Sequence, residues 1–168
     1  MIQTNIEQAV SEFIARSYIA AGVATGTVAE KGTTMTFTGA LAGQDPLRIH
    51  AGEITEDAVL PLLIVAAGAS EEDDCGNHTI DITLTLIYPA DADDVTTDPL
   101  GRLETEFQRV FSFAADDDIG AQMAALNTLT TDASIIGVET RGSRRDFEEH
   151  RAIRELTLKA YCCDVDIY

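Results

Sequence analysis

Basic residues are scarce in this chain. Lysine and arginine together number 11 against 29 aspartates and glutamates, a formal charge of −18 at pH 7 over 168 residues. A nucleic-acid-binding surface draws its affinity from cations that neutralise phosphates, so this balance argues against one and predicts a chain that repels DNA. Long apolar runs are missing too. None approaches the roughly 18 residues of a membrane-spanning helix. The opening MIQTNIEQAV lacks the basic-then-apolar order of a secretory signal, so a cytoplasmic product with no membrane partner is expected.

Cysteine is sparse and odd in number: Cys75, Cys162 and Cys163. Neighbours on a strand point to opposite faces, which sets Cys162 and Cys163 poorly for a shared disulfide, and reduced thiols are expected. Cys75-x-x-His78 with Cys162 or Cys163 is a conceivable zinc set, but no second motif of regular spacing supports it. The plainer reading is two buried small residues and one loop thiol. Catalytic signatures are absent: no G-x-S-x-G, H-E-x-x-H, phosphate-loop or G-x-G-x-x-G sequence occurs, which counts against an enzyme. No cofactor is expected. His50, His78 and His150 bear no periodic relation to one another and read as surface polar residues. His–carboxylate neighbours such as His78 with Asp81, or His150 with Glu148 and Glu149, arise readily by chance among 29 acids.

What is present is dominated by one stretch, HTIDITLTLIYP at 78–89. Ile80, Ile82, Leu84, Leu86 and Tyr88 alternate with Thr79, Asp81, Thr83 and Thr85, the period of a strand with one buried face. Before it, the apolar run LPLLIVAA at 60–67 reads as a strand covered on both faces, antiparallel to the first across an acidic loop. Beyond the arginines, Leu156, Leu158, Ala160 and Cys162 alternate with Glu155, Thr157, Lys159 and Tyr161 in a second long strand. Ser134–Thr140 would pair with it as a hairpin whose connection lies near 142–147. Weaker strands are expected at 34–38 and 47–51 within a Gly- and Thr-rich segment.

Three helices are expected. Ile6, Val10, Phe13, Ile14, Tyr18 and Ala21 trace an amphipathic N-terminal helix capped at Asn5 or Thr4 and closed at Gly22. Asp98 and Pro99 open a second along Leu100, Leu103, Phe107, Val110, Phe111 and Ala114. Asp116, Asp117 and Asp118 place negative charge at the start of a third, carrying Ile119, Met123 and Leu126. With no repeat or linker, residues 1–168 read as one domain. The class is α+β: a mainly antiparallel mixed sheet with an N-terminal helix and two central helices packed on one face.

Two charged constellations stand out. Acids cluster at Glu71–Asp74, Asp91, Asp93 and Asp94, and Asp116–Asp118, and read mostly as solvated loops. The 91–98 loop could hold a divalent cation, and so supports a metal-dependent hydrolase as an alternative function, but it lacks the glycine turn and terminal glutamate of a calcium loop. The other is RGSRRDFEEHR, the one basic cluster. Arg141, Arg144, Arg145 and Arg151 lie among Asp146, Glu148 and Glu149, a mixed-sign tip that can meet acidic surface on a neighbouring copy, head to tail. The Thr79, Asp81, Thr83 and Thr85 row is either solvent-facing or the floor of such a contact.

In element order the chain resembles the tail terminator proteins of long-tailed bacteriophages, of the lambda-like type. The likeness rests on the helix at 6–21, the proline-containing strand at 60–67, the alternating strand that ends in Pro89-Ala90, the helix at 99–114, and Arg144-Arg145-Asp146 feeding a last alternating strand at 154–165. The Gly- and Thr-rich segment at 22–52 departs from it. The resemblance implies a structural virion protein, a homohexameric ring that caps the tail tube, ends its polymerisation and presents a face to the head connector or neck. Asp91, Asp93, Asp94, Asp116, Asp117 and Asp118 would then line a lumen that passes DNA without binding it. Another neck, head-completion or tail-tube component is the neighbouring alternative.

Overall fold

The computed structural model describes residues 2–20, 22–28, 32–39, 42, 45–52, 59–72, 77–89, 133–148 and 150–164; for 2–5, 133–141, 143, 163 and 164 it describes the backbone alone. One helix, α1 (Ile2–Ala20), precedes seven strands: β1 (Ala24–Thr25), β2 (Gly32–Phe37), β3 (Leu47–Ala51), β4 (Leu62–Glu72), β5 (Asn77–Pro89), β6 (Ala133–Glu148) and β7 (Arg151–Asp164). They form a single sheet in the order β1-β2-β3-β4-β5-β7-β6. Every pairing is antiparallel except β3 with β4.

This corrects the expected fold. In place of a sheet with two central helices packed on it, the described residues form a large mixed sheet with a single N-terminal helix. The segments read as central helices, 99–114 and 119–126, lie outside the described residues. The sheet is larger than expected because its last strands are long: β5, β6 and β7 run 13, 16 and 14 residues.

Helix α1 contains no glycine or proline and repeats apolar residues at three and four, so one stripe faces the sheet. Ile6, Val10, Phe13, Ile14 and Tyr18 are buried along that stripe. The Tyr18 ring meets Phe37 of β2 edge-on, with centroids 6.5 Å apart. The helix begins at Ile2, so Asn5 and Thr4 lie inside it and neither caps it. At its other end Gly22 adopts φ +72, the left-handed turn in which glycine avoids a Cβ clash, and its N–H donates to the Ile19 carbonyl at 3.0 Å.

The sheet face toward α1 carries Thr33, Met35 and Phe37 of β2, Leu47 and Ile49 of β3, and Leu63 and Val65 of β4, all buried. Register carries the same face onward, since directly opposed residues share a side of the pleat. Leu63 opposes Leu86, Val65 opposes Leu84 and Ala67 opposes Ile82; Ile80, Ile82 and Leu84 oppose Ala160, Leu158 and Leu156. His78 belongs to this row, buried opposite Cys162, which is also buried. The surface reading of His78 is thereby corrected. Alternation in phase with Ile80 carries the imidazole inward, whatever its polarity.

Glu7 ties helix to sheet. Its Oε1 accepts a hydrogen bond from the Ala67 backbone N–H at 2.8 Å. Ala67 is the last residue of β4 in regular register with β5 before an irregularity that separates it from Ser70.

Candidate functional site

The sheet face turned away from α1 brings part of the expected interface set together. On β5 it carries Thr79, Asp81, Thr83 and Thr85, with Asp81 exposed and the threonines half-buried. The register of β7 and β6 then extends each position sideways. Thr85 opposes Glu155, and Glu155 opposes Arg144; Thr83 opposes Thr157, and Thr157 opposes Gly142; Asp81 opposes Lys159. On the other side Thr85 opposes Ile64, and Ile64 opposes His50 of β3. One row thus crosses from His50 through Ile64, Thr85 and Glu155 to Arg144.

The next row is apolar in its middle and charged at its ends. Arg48 opposes Leu62, Leu62 opposes Ile87, Ile87 opposes Ile153, and Ile153 opposes Asp146. Leu62 is buried yet stands apart from the core cluster under α1, as its place on the opposite face requires. Ile64, Ile87 and Ile153 are half-buried, and Arg48 is exposed. An apolar centre with charged margins is the anatomy of a protein interface.

At the β6 margin the charges are organised around Arg144. Its Nη2 donates to Glu155 Oε2 at 3.4 Å, and its Nη1 lies 3.5 Å from Asp146 Oδ2. Asp146 Oδ1 also accepts from the Phe147 backbone N–H at 2.8 Å. The Arg144 side chain is 60% exposed, so these pairs are screened and contribute little to folding. Fixed in place, they present both signs within a few ångströms.

The expected hairpin tip is corrected. β6 does not stop near Thr140; it runs to Glu148, which opposes Arg151, the first residue of β7, and His150 just before it adopts φ 68. The arginines therefore lie along an edge strand, because β7 is long enough to supply backbone partners throughout. Alternation then separates them. Arg144, Asp146 and Glu148, with Arg151 opposite, share the face away from the helix, whereas Arg145 opposes Arg154 on the helix side. Arg141 falls at a register shift between Thr140 and Gly142.

Glu149 and the acids Asp91, Asp93, Asp94, Asp116, Asp117 and Asp118 lie outside the described residues, as does Cys75 of the conceivable zinc set. Among the described residues no three His, Cys, Asp or Glu side chains gather as metal ligands, and no helix is long and apolar enough to cross a membrane.

No protein-family model and no curated protein sequence matches this chain. The function has to be read from the surface itself. Arg48, His50, Ile64, Ile87 and Ile153 belong to that surface, although sequence reasoning did not single them out. For Ile87 and Ile153 the signal was available, since each falls out of phase with the buried alternation of its own strand.

Proposed function

We propose that the chain is a structural ring subunit of the bacteriophage tail-terminator type, which caps a tail tube, ends its polymerisation and joins it to a head connector or neck. The observation that carries the reading is the face away from α1, where the Thr79–Thr85 row and Arg144 with Asp146 flank an apolar strip of Leu62, Ile64, Ile87 and Ile153. Such a face suits a protein neighbour better than a small substrate, because it is broad, half-apolar and margined by both charge signs. Arg48 at one margin and Arg144 at the other are cations on a chain of net charge −18, so acidic surface on a neighbouring copy is their natural complement. A face-to-elsewhere contact of this kind is heterologous and closes into a ring when its rotation permits.

The resemblance now rests on α1, β4, β5 and β7 in sequence order. The test is solution mass with negative-stain imaging. A ring of about six subunits of 18.0 kDa is expected, and Arg48→Glu should disperse it. A monomer at every concentration, including with polymerised tube protein present, refutes the proposal.

A further inference from the structure

β6 forms one edge of the sheet, and among the described residues nothing pairs with its outer side. An edge strand of 16 residues is a ready template for another strand, and proteins commonly block such edges with charge. Blocking works when like charges meet. Here the order of charges does the opposite for one particular partner.

We infer that the outer edge of β6 pairs with the same edge of a second copy, antiparallel about a two-fold axis at Arg145. An axis through residue 145 sets residue i opposite residue 290 − i of the other copy. Arg144 then faces Asp146 twice, once on each side of the axis. Further out, Gly142 falls opposite Glu148 by sequence position. The one like pair is Arg145 against itself. Neighbouring registers are worse: an axis at Arg144 leaves no opposite-sign pair, and an axis at Asp146 keeps Arg144 with Glu148 but sets the short Asp146 carboxylates against each other, where the longer Arg145 side chains can splay apart. The axis at Arg145 is therefore favoured.

The edge is also a place where two such chains can meet. Net charge far from zero keeps copies apart. Across 141–149, however, Arg141, Arg144 and Arg145 balance Asp146, Glu148 and Glu149, so the segment is neutral within a chain of −18. Gly142, Arg144, Arg145, Phe147 and Glu148 are exposed, Phe147 to 50%. Main-chain hydrogen bonds supply the affinity in strand addition, and side-chain pairs supply the register. This contact is isologous and does not depend on the ring reading.

A charge swap tests it. Arg144→Asp alone, or Asp146→Arg alone, turns both opposite-sign pairs into like-sign pairs and should weaken self-association by about tenfold or more in sedimentation equilibrium. The double variant R144D/D146R restores opposite signs across the axis and should recover wild-type association. Within one chain the swap does not restore everything, because an aspartate at 144 still faces Glu155; recovery therefore reports the contact between copies. In the unmodified protein, amide exchange at 142–148 should slow as concentration rises. A double variant as weak as the single ones, single variants that associate like wild type, or exchange at 142–148 independent of concentration overturns the inference.

Discussion

The bond from the Ala67 N–H to Glu7 spans 60 positions in sequence and joins α1 to β4 where the β4–β5 register shifts. Replacing Glu7 with alanine leaves a partly buried backbone donor without its ionised acceptor. Hydrogen bonds to charged groups contribute about 1.5–3 kcal/mol, so Glu7→Ala is expected to lower stability by about 2 kcal/mol, or about 4–8 °C in a chain of this size. Glu7→Gln keeps a carbonyl acceptor but loses the charge, and should cost roughly half as much. Urea denaturation supplies the free energies. Amide exchange supplies the location, because the Ala67 proton should exchange faster in Glu7→Ala by more than the global change explains. Glu12→Ala is the control, since Glu12 pairs with exposed Arg16 one helical turn away at 3.6 Å rather than with the sheet among the described residues. If Glu7→Ala shifts the urea midpoint no more than Glu12→Ala, and Ala67 exchange is unmoved, the assigned tie between helix and sheet is wrong.

Adjacent residues on β5 test the two faces directly. Leu84→Ala removes a fully buried side chain between Val65 and half-buried Leu156 and should cost about 2–5 kcal/mol, whereas Thr83→Ala, on the opposite face, should change stability by about 0.5 kcal/mol or less in urea titration. Comparable losses at both positions would contradict the face assignment. Gly22→Ala meets no atom within 4 Å and should cost only the left-handed backbone penalty, about 1–2 kcal/mol. Gly52→Ala, at φ +89 and with its new Cβ 3.3 Å from Glu7 Oε2, should cost more by thermal melting, and part of the excess should vanish in a Glu7→Ala background.

Local pattern carried into structure where a residue's neighbours in sequence decide its environment. Strict alternation at 78–89 gave a strand with the right buried set, and the β3 bounds match the 47–51 expectation. The arginine segment failed for a physical reason. Gly142 and a run of charges look like a turn, but an edge strand exposes alternate side chains to water on both faces, so charge there costs no burial. His78 failed because polarity was weighed above phase. The candidate surface was half legible: the Thr79–Thr85 row and the arginines were each visible, but not that Thr85, Glu155 and Arg144 share one row. That depends on where the hairpin turns, since Glu148 opposite Arg151 sets Arg144 opposite Glu155, and a turn near 142–147 would have set another pairing. A slip of one residue moves every side chain to the other face, and sequence pattern does not locate the turn.

Charge then decides how such a sheet can associate. Two copies at −18 each repel over distances comparable with the screening length, about 8 Å at physiological salt. A contact must therefore sit where local charge is balanced or where cations meet acids. The face away from α1 satisfies the second condition, with Arg48 and Arg144 at its margins. The β6 edge satisfies the first condition, and under a two-fold axis it is its own complement. The edge contact takes its main-chain hydrogen bonds in the plane of the sheet and the face contact uses side chains above the pleat, with Arg144 and Asp146 shared at their common margin. A chain carrying both can close a ring through the face and join two rings through the edge, which makes the subunit number even whatever the rotation within each ring.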